Sequence, residues 1–434
     1  MHAIPVIAIF DIGKTNKKFL LFNEDYQIVY EHSEKLVETK DEDGYPCEDI
    51  SELSNFIFKQ WNFAQSLSQF IIKAVNFSAY GASFVYLDEV GKPVAPIYNY
   101  LKPYPVEIEQ KFLSRYGSAE NISFETGSPW LGSLNSGMQV YRFKYEHPEK
   151  YSQTRFAVHL PQFLSSLLNH QYFTEFTSIG CHTAIWNFSK MDYHHWIKQE
   201  SIDQKFPVLV PSGTVSQVSN NGGSFISGIG LHDSSAALIP YLLNFNEPFV
   251  LLSTGTWCIS LNPFNQSALT IEELKNDCLV YLSYNGHAVK ASRLFAGKEH
   301  ENGVEALAKR FEKPLDYYQI ISYTESVFND IESKNLLECE DYSSAYHWLI
   351  KSIVDKQVRS IELVIDQNNV RRIFVDGGFS QNELFMKMLS KKMSGIRVFA
   401  ARVPQATALG AALVIHDHWN NKSIPGDLVE LIEF

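Results

Sequence analysis

Two stretches of this chain follow one plan, an apolar run, a short polar turn containing Gly and Thr, and a second apolar run. They are IAIFDIGKTNKKFLLF, residues 7–22, and FVLLSTGTWCISLNPF, residues 249–264. Short apolar runs bounded by turn residues read as strands, and so close a spacing makes each pair a β-hairpin. The likeness is architectural, with little identity, and it predicts a duplicated α/β organisation with one domain over 1–242 and a second over 243–434. With 434 residues, 45% of them hydrophobic, the chain can fill two or three cores.

Between the hairpins, a helical pattern runs from Ile50 to about residue 68, and AVNFSAY and SFVYL read as strands. Residues 104–200 are largely helical in period, with Tyr141, Phe143, Phe156 and Phe163 as core positions. A Ser/Gly/Asn-rich patch over 212–237 reads as loose, and SSAALIPYLLNF follows it as a helix. After residue 300, helices alternate with the strands RRIFVDGG and IRVFA, and ATALGAALVIH closes the pattern as a helix.

The formal net charge of -12, with no Lys/Arg block, argues against a nucleic-acid partner. Cys47, Cys181, Cys258, Cys278 and Cys339 are scattered without Cys-x-x-Cys spacing, which predicts packed thiols and neither a disulfide framework nor a zinc site. DYHHW (192–196) and HDHW (416–419) lack the spaced ligand set of a metal centre and read as surface or packed aromatics. The first apolar run is too short for a secretory core, and no run approaches the ~18 residues of a membrane span, so the expectation is a cytoplasmic enzyme without membrane partners.

Phosphate oxygens can be held by the backbone N–H groups of a tight turn together with hydroxyls and ammonium groups, and GKTNKK supplies all three. It is not a Walker A loop, because it returns directly to a strand. The same residues would also serve an ordinary hairpin tip with solvated lysines. TGTW offers a second such turn, and VDGGFSQN (375–382) pairs two glycines with Ser380 or Asn382 as a helix cap, or is a plain strand-to-helix turn. In GLHDSSAALIP (230–240), Asp233 is either a helix cap or a carboxylate able to take a proton from a hydroxyl nucleophile.

Taken in order, DIGKTNKK, the Asp before an AA-containing helix, STGTW, DGGFSQN and ATALGAAL resemble the FGGY carbohydrate kinases over essentially the whole chain, including VYLDEVGKPVAP and YRFKYEHPEKYSQTRFAVHLP. The resemblance implies an α/β fold of two actin-like (ribonuclease H-like) domains with an interdomain cleft for nucleotide and sugar, and it implies ATP and Mg2+ as cofactors. By position it assigns Asp11 to the metal, and Lys14, Thr15, Asn16 and Lys18 to phosphate. The family usually has Thr or Ser where Lys14 stands. It assigns Asp233 as general base, Thr254, Gly255 and Thr256 as the second phosphate turn, and Gly377, Gly378 and Asn382 as the adenosine motif. A monomer or homodimer is expected.

The His232-Asp233 pair, TGTW and AYGASFVYLD (79–88) are similar to the deoxyketose kinases of this family, with Gly81 and Tyr80 at sugar-contacting positions. A 6-deoxyketose has a methyl end that suits a wall such as Tyr80, and His232 could hydrogen-bond a sugar hydroxyl. Ser83 and the segment ASRLFAGKEHE (291–301) depart from the rhamnulokinase pattern, and Lys298 and Glu299 in that segment read as a solvated face. The expected reaction is transfer of the γ-phosphoryl of ATP to a primary ketose hydroxyl, with L-rhamnulose first, L-fuculose next, and D-xylulose, ribulose or another ketose behind. Two other classes compete. A non-catalytic sugar sensor would be expected to have lost Asp233 or a phosphate turn, and a chaperone-type ATPase would be expected to carry a further β-rich domain.

Overall fold

The computed structural model describes residues 3–220, 223–365 and 369–434. The chain divides into two compact units, the first formed by 1–244, 280–288 and 404–428, the second by 245–279, 289–403 and 429–434.

The first unit opens with β1 (Ile4–Ile12), β2 (Lys17–Asn23) and β3 (Ile28–Glu34), joined antiparallel in sequence order. Helix α1 (Ile50–Ser66) begins where the Asp49 side chain accepts the Ser51 and Glu52 amides. It buries Leu53, Phe56, Ile57, Trp61 and Ala64, one stripe at helical spacing. Strand β4 (Phe70–Ala79) lies parallel to β1, and β5 (Phe84–Leu87) pairs with β6 (Phe156–His159). The region between them is helical over Val106–Tyr116, Ala119–Thr126 and Ser136–Glu146. Then come α2 (Leu160–Asn169) and the short α3 (Phe176–Ile179).

The patch expected to be loose instead carries the antiparallel pair β7 (Val215–Asn220) and β8 (Gly223–Gly228), with β8 parallel to β4; residues 221 and 222 lie outside the described residues. Serines and glycines dilute its alternation, yet Phe225 is buried against Trp61 with ring centroids 4.6 Å apart. The sheet order is β7-β8-β4-β1-β2-β3, and the two-residue β9 (Leu231–His232) also pairs with β4. Helix α4 (Asp233–Asn244) follows directly. The core packs Phe10, Phe19, Phe56, Phe77 and Trp61 together, with Phe10 stacked on Phe77.

The second unit repeats the plan. Strands β10 (Phe249–Thr254) and β11 (Cys258–Asn262) form the hairpin, and β11 pairs with β12 (Ala288–Leu294). After α5 (Ala296–Arg310) and α6 (Tyr342–Glu362), β13 (Arg372–Gly377) runs parallel to β10; after α7 (Glu383–Lys392), β14 (Arg397–Arg402) runs parallel to β13.

The chain then re-enters the first unit with α8 (Ala406–Leu413) and ends its described structure in the second with β15 (Glu430–Glu433). Segments 280–288 and 404–428, expected in a second domain over 243–434, therefore belong with the first unit. Helix α8 packs on α4, β1 and β4. A Cβ on Gly410 would stand 1.9 Å from the Ala236 carbonyl oxygen, so only glycine allows this approach. Pro240, four residues on in α4, has no N–H to give that carbonyl. Among the described residues no helix is long and apolar enough to cross a membrane.

Candidate active site

In the first unit the C-terminal ends of β1, β4 and β9 lie side by side, the edge at which open α/β sheets place their ligands. Register puts Asp11 opposite Lys18 on one side and Ser78 on the other, and pairs His232 with Ala79. The GKTN turn is closed by Gly13 N–H donating to Asn16 O at 3.0 Å, and Thr15 and Asn16 stand exposed at its tip. Lys18 Nζ donates to Gln405 Oε1 at 2.8 Å, and Lys14 Nζ reaches Glu38 at 2.5 Å and Glu48 at 3.5 Å.

Lys17, which sequence reasoning passed over, is fully buried. Its ammonium donates to Gly13 O at 3.1 Å, Lys14 O at 3.0 Å and Glu48 Oε1 at 2.9 Å, which fixes the turn from inside. Strand alternation is the signal, since Lys17 and Lys18 must face opposite ways. Tyr80 is buried beside Lys14, whose Nζ lies 5.8 Å from the ring centroid, and packs edge-on to Tyr100.

Asp233 is the first residue of α4, and its side chain is 30% exposed. Oδ1 accepts the Ser234 amide at 2.6 Å and the Ser234 hydroxyl at 3.3 Å, and lies 3.0 Å from His232 Nε2. Among the described residues no donor is directed at Oδ2. Burial pushes this carboxyl up, but the His232 charge and the donors on Oδ1 outweigh it and hold the group below the usual carboxylate range.

Asp11 goes the other way, raised to about 6 by burial and by the Asp233 charge against the pull of Lys18 and Ser78. A carboxyl raised on folding stabilises the folded protein most when protonated, so this contribution is present below about pH 4 and lost as pH rises through about 6. In metal-free protein, wild type is expected to lose on the order of 2 kcal/mol relative to Asp11→Asn between pH 4 and 7, read by urea unfolding. Parallel profiles for the two proteins would exclude the raised value.

His232 is buried and engaged at both ring nitrogens, with Nε2 also 3.4 Å from Cys181 Sγ and Nδ1 3.3 Å from Ser235 Oγ. Its backbone N–H donates to the Thr177 hydroxyl at 2.9 Å, and that hydroxyl donates to the buried Glu175 at 2.8 Å. All five cysteines are buried and free of disulfides, as the spacing predicts. Ala82, His182 and Ala184 hold left-handed backbone around this site, a strain of order 1–3 kcal/mol each that the fold must offset.

The HH pair is less bland than its spacing suggests. His194, His195 and Glu125 place one ligand atom each within 4.8 Å of one another. His194 Nδ1, however, accepts the Trp196 amide at the start of a short helix, which puts the proton on Nε2, 2.8 Å from Glu125. That tautomer suits a structural hydrogen bond.

In the second unit a cavity of about 580 Å³ is lined by Thr254, Gly255, Gly297, His300, Gly378 and Asn382, among others. Thr254 is buried. Its hydroxyl donates to Asp376 O at 2.5 Å and accepts the Phe379 amide at 3.0 Å, tying β10 to the turn after β13. Gly255 and Thr256 are exposed. Gly377 has φ 86°, and a Cβ there would stand 1.9 Å from the Thr254 carbonyl oxygen; on Gly378 it would meet nothing within 4 Å. Asn382 caps α7 through the Phe385 amide and its side-chain amide donates to the Tyr346 hydroxyl at 2.7 Å. Lys298 pairs with Glu301 and Glu299 with Lys356, while Gly297 and His300 of the same helix line the cavity.

Comparison with known proteins agrees with this architecture. A carbohydrate kinase of Novosphingobium aromaticivorans superposes with a TM-score of 0.84 at 19% identity, covering 100% of this chain and 94% of that one. A ligand-bound xylulose kinase of Lactobacillus acidophilus gives 0.81 at 13% identity, covering 99% and 93%. Such likeness defines a two-domain α/β sugar-kinase fold. Residues 6–239 match the N-terminal domain of the FGGY family of carbohydrate kinases and 246–328 a C-terminal domain of that family; the chain belongs to the FGGY family. The L-fuculokinase of Escherichia coli K12 is 24% identical over 279 residues, 58% of this chain, and the match spans 55% of that relative's own length.

Proposed function

We propose that this protein transfers the γ-phosphoryl group of ATP to a primary hydroxyl of a ketose, with Asp233 as general base. The observation that carries the reading is the Asp233 carboxylate itself, anchored through Oδ1 and open at Oδ2, at the sheet edge where ligands bind. Held below the usual carboxylate range, it stays ionised through neutral pH and ready to accept a proton.

The residues present suit the expected cofactors. In the second unit, the bare Cα of Gly378 faces open space in the cavity wall, and Gly255 and Thr256 offer an exposed amide turn. Asp11 and Asp233 repel one another, and a hard divalent cation such as Mg2+ held by Asp11 would relieve that repulsion. Bound MgATP supplies the transferable phosphoryl group with part of its charge neutralised. Lys18 and the exposed turn at Thr15 and Asn16 would hold phosphate oxygens, with Thr254 and Gly377 setting the geometry of the second turn. Asp233 takes the hydroxyl proton as the sugar oxygen bonds to phosphorus and the bond to ADP breaks.

For the sugar we favour a 6-deoxyketose. The likeness to an L-fuculokinase supports L-fuculose beside L-rhamnulose, and buried Tyr80 offers an apolar wall for the methyl end. ADP release should be followed with L-fuculose, L-rhamnulose, D-xylulose, L-ribulose, D-gluconate and glycerol. A deoxyketose is expected to give a kcat/KM at least about tenfold above D-xylulose, the discrimination one methyl group allows. A preference for D-xylulose or ribulose would reassign the sugar, and release equal to the no-sugar blank in every case would favour a sensor over an enzyme.

A further inference from the structure

The imidazole of His232 sits in a slot. Cys181 Sγ lies 3.4 Å from Nε2, Ser235 Oγ lies 3.3 Å from Nδ1, and a Cβ on Gly81 would come within 3.0 Å of both Cδ2 and Nε2. Gly81 is therefore glycine for a reason apart from any sugar: its missing side chain is where the ring edge lies. We propose that Cys181 is a positioning residue that, beside Gly81 at the Nε2 edge and facing Ser235 at Nδ1, holds the His232 ring against Asp233, so that His232 orients the base instead of binding the sugar.

The hydrogen-bond inventory of the slot supports this. Nε2 has one proton, and Asp233 Oδ1, at 3.0 Å, can only accept it. The sulfur beside that N–H can then only accept as well, so both partners hold the ring in the same orientation. His182 and His232 together hold the Cys181 thiol down to about 6 against the effect of burial, which favours an accepting sulfur. His159, whose Nε2 lies 3.1 Å from Ser136 Oγ, and His182, next to Cys181, are the other imidazoles close by. With Oδ1 pinned by His232 and Ser234, the carboxylate plane is fixed and Oδ2 has one direction to face. Loss of the sulfur frees the ring to turn away, and misplacing a catalytic group by about 1 Å can cost up to ~100-fold in rate.

The inference rests on Asp233 being the base, and its test separates the two. Cys181→Ala is expected to lower kcat about tenfold, with the sugar KM within about twofold and an unchanged thermal midpoint. Cys181→Ser, which restores an acceptor, is expected to recover most of the loss. Independently of turnover, imidazole 15N NMR should show the His232 Nε2–H resonance in wild type and Cys181→Ser, and show it shifted or lost in Cys181→Ala. Should Cys181→Ala fail to fold, Gly81→Ala pushes a Cβ against the same Nε2 edge of the ring and should shift the same resonance. A raised sugar KM with unchanged kcat would overturn the proposal in favour of sugar binding, and an unmoved His232 resonance would overturn the clamp itself. Native turnover in Asp233→Asn would instead defeat the base assignment while leaving the NMR result to stand.

Discussion

Asp233→Asn is expected to lower kcat by a factor of about 10²–10⁴, the usual worth of a positioned general base, with little change in the affinity for sugar or nucleotide. The substitution is close to isosteric. The amide oxygen can still accept from Ser234 and His232 as Oδ1 does now. What is lost is the second oxygen, replaced by an NH2 that cannot take a proton. The fold should hold, because the Ser234 contacts at the start of α4 survive. Coupled ADP release, with sugar affinity measured separately by calorimetry, distinguishes a rate defect from a binding defect. Near-native turnover would mean that the substrate proton leaves by another route, and the proposed chemistry would fail with it.

Gly377→Ala is expected to disable the second unit. Gly377 ends β13 at φ 86° and ψ -153°, a conformation that costs a residue with a side chain of order 1–3 kcal/mol. Its new Cβ would also fall 1.9 Å from the Thr254 carbonyl oxygen and 3.0 Å from the Thr254 hydroxyl, its register partner on β10. Backbone would have to move, and overpacking of this kind adds about 1–3 kcal/mol. Together these predict a fall of roughly 5 °C or more in the thermal midpoint and loss of the further stabilisation that added ADP should give. Gly378→Ala is the control, since its Cβ would meet nothing within 4 Å. It should keep the midpoint and alter only the response to ADP. A Gly377→Ala protein with wild-type midpoint and ADP response would show that the close approach is not needed.

Much of the fold can be read from local pattern. Both hairpins, α1 and α4 announce themselves because apolar periodicity and turn residues act within a few positions of one another. The family follows from the order of motifs. The strands β7 and β8 escape such reading because Ser and Gly stand where strand formers are expected, and their pairing comes from a neighbouring strand with no local signal. The site is legible as residue types and obscure as contacts. Nothing in KTNKK says which lysine turns inward, and Lys17 does so because Glu48, 31 positions away, is there to receive it. Cys181 and His232 are 51 positions apart and meet only through the fold. The return of α8 to the first unit is equally silent, except for Gly410, whose purpose shows once Ala236 is beside it.

That return sets an order of events during synthesis. Helix α4, which carries Asp233 at its first turn, leaves the ribosome about 170 residues before the helix that covers it, and domains form as units once their parts exist. Until then the Ala236 carbonyl and the apolar flank of α4 lack their cover, so the nascent first unit keeps that surface open over the whole interval in which the second unit is being made.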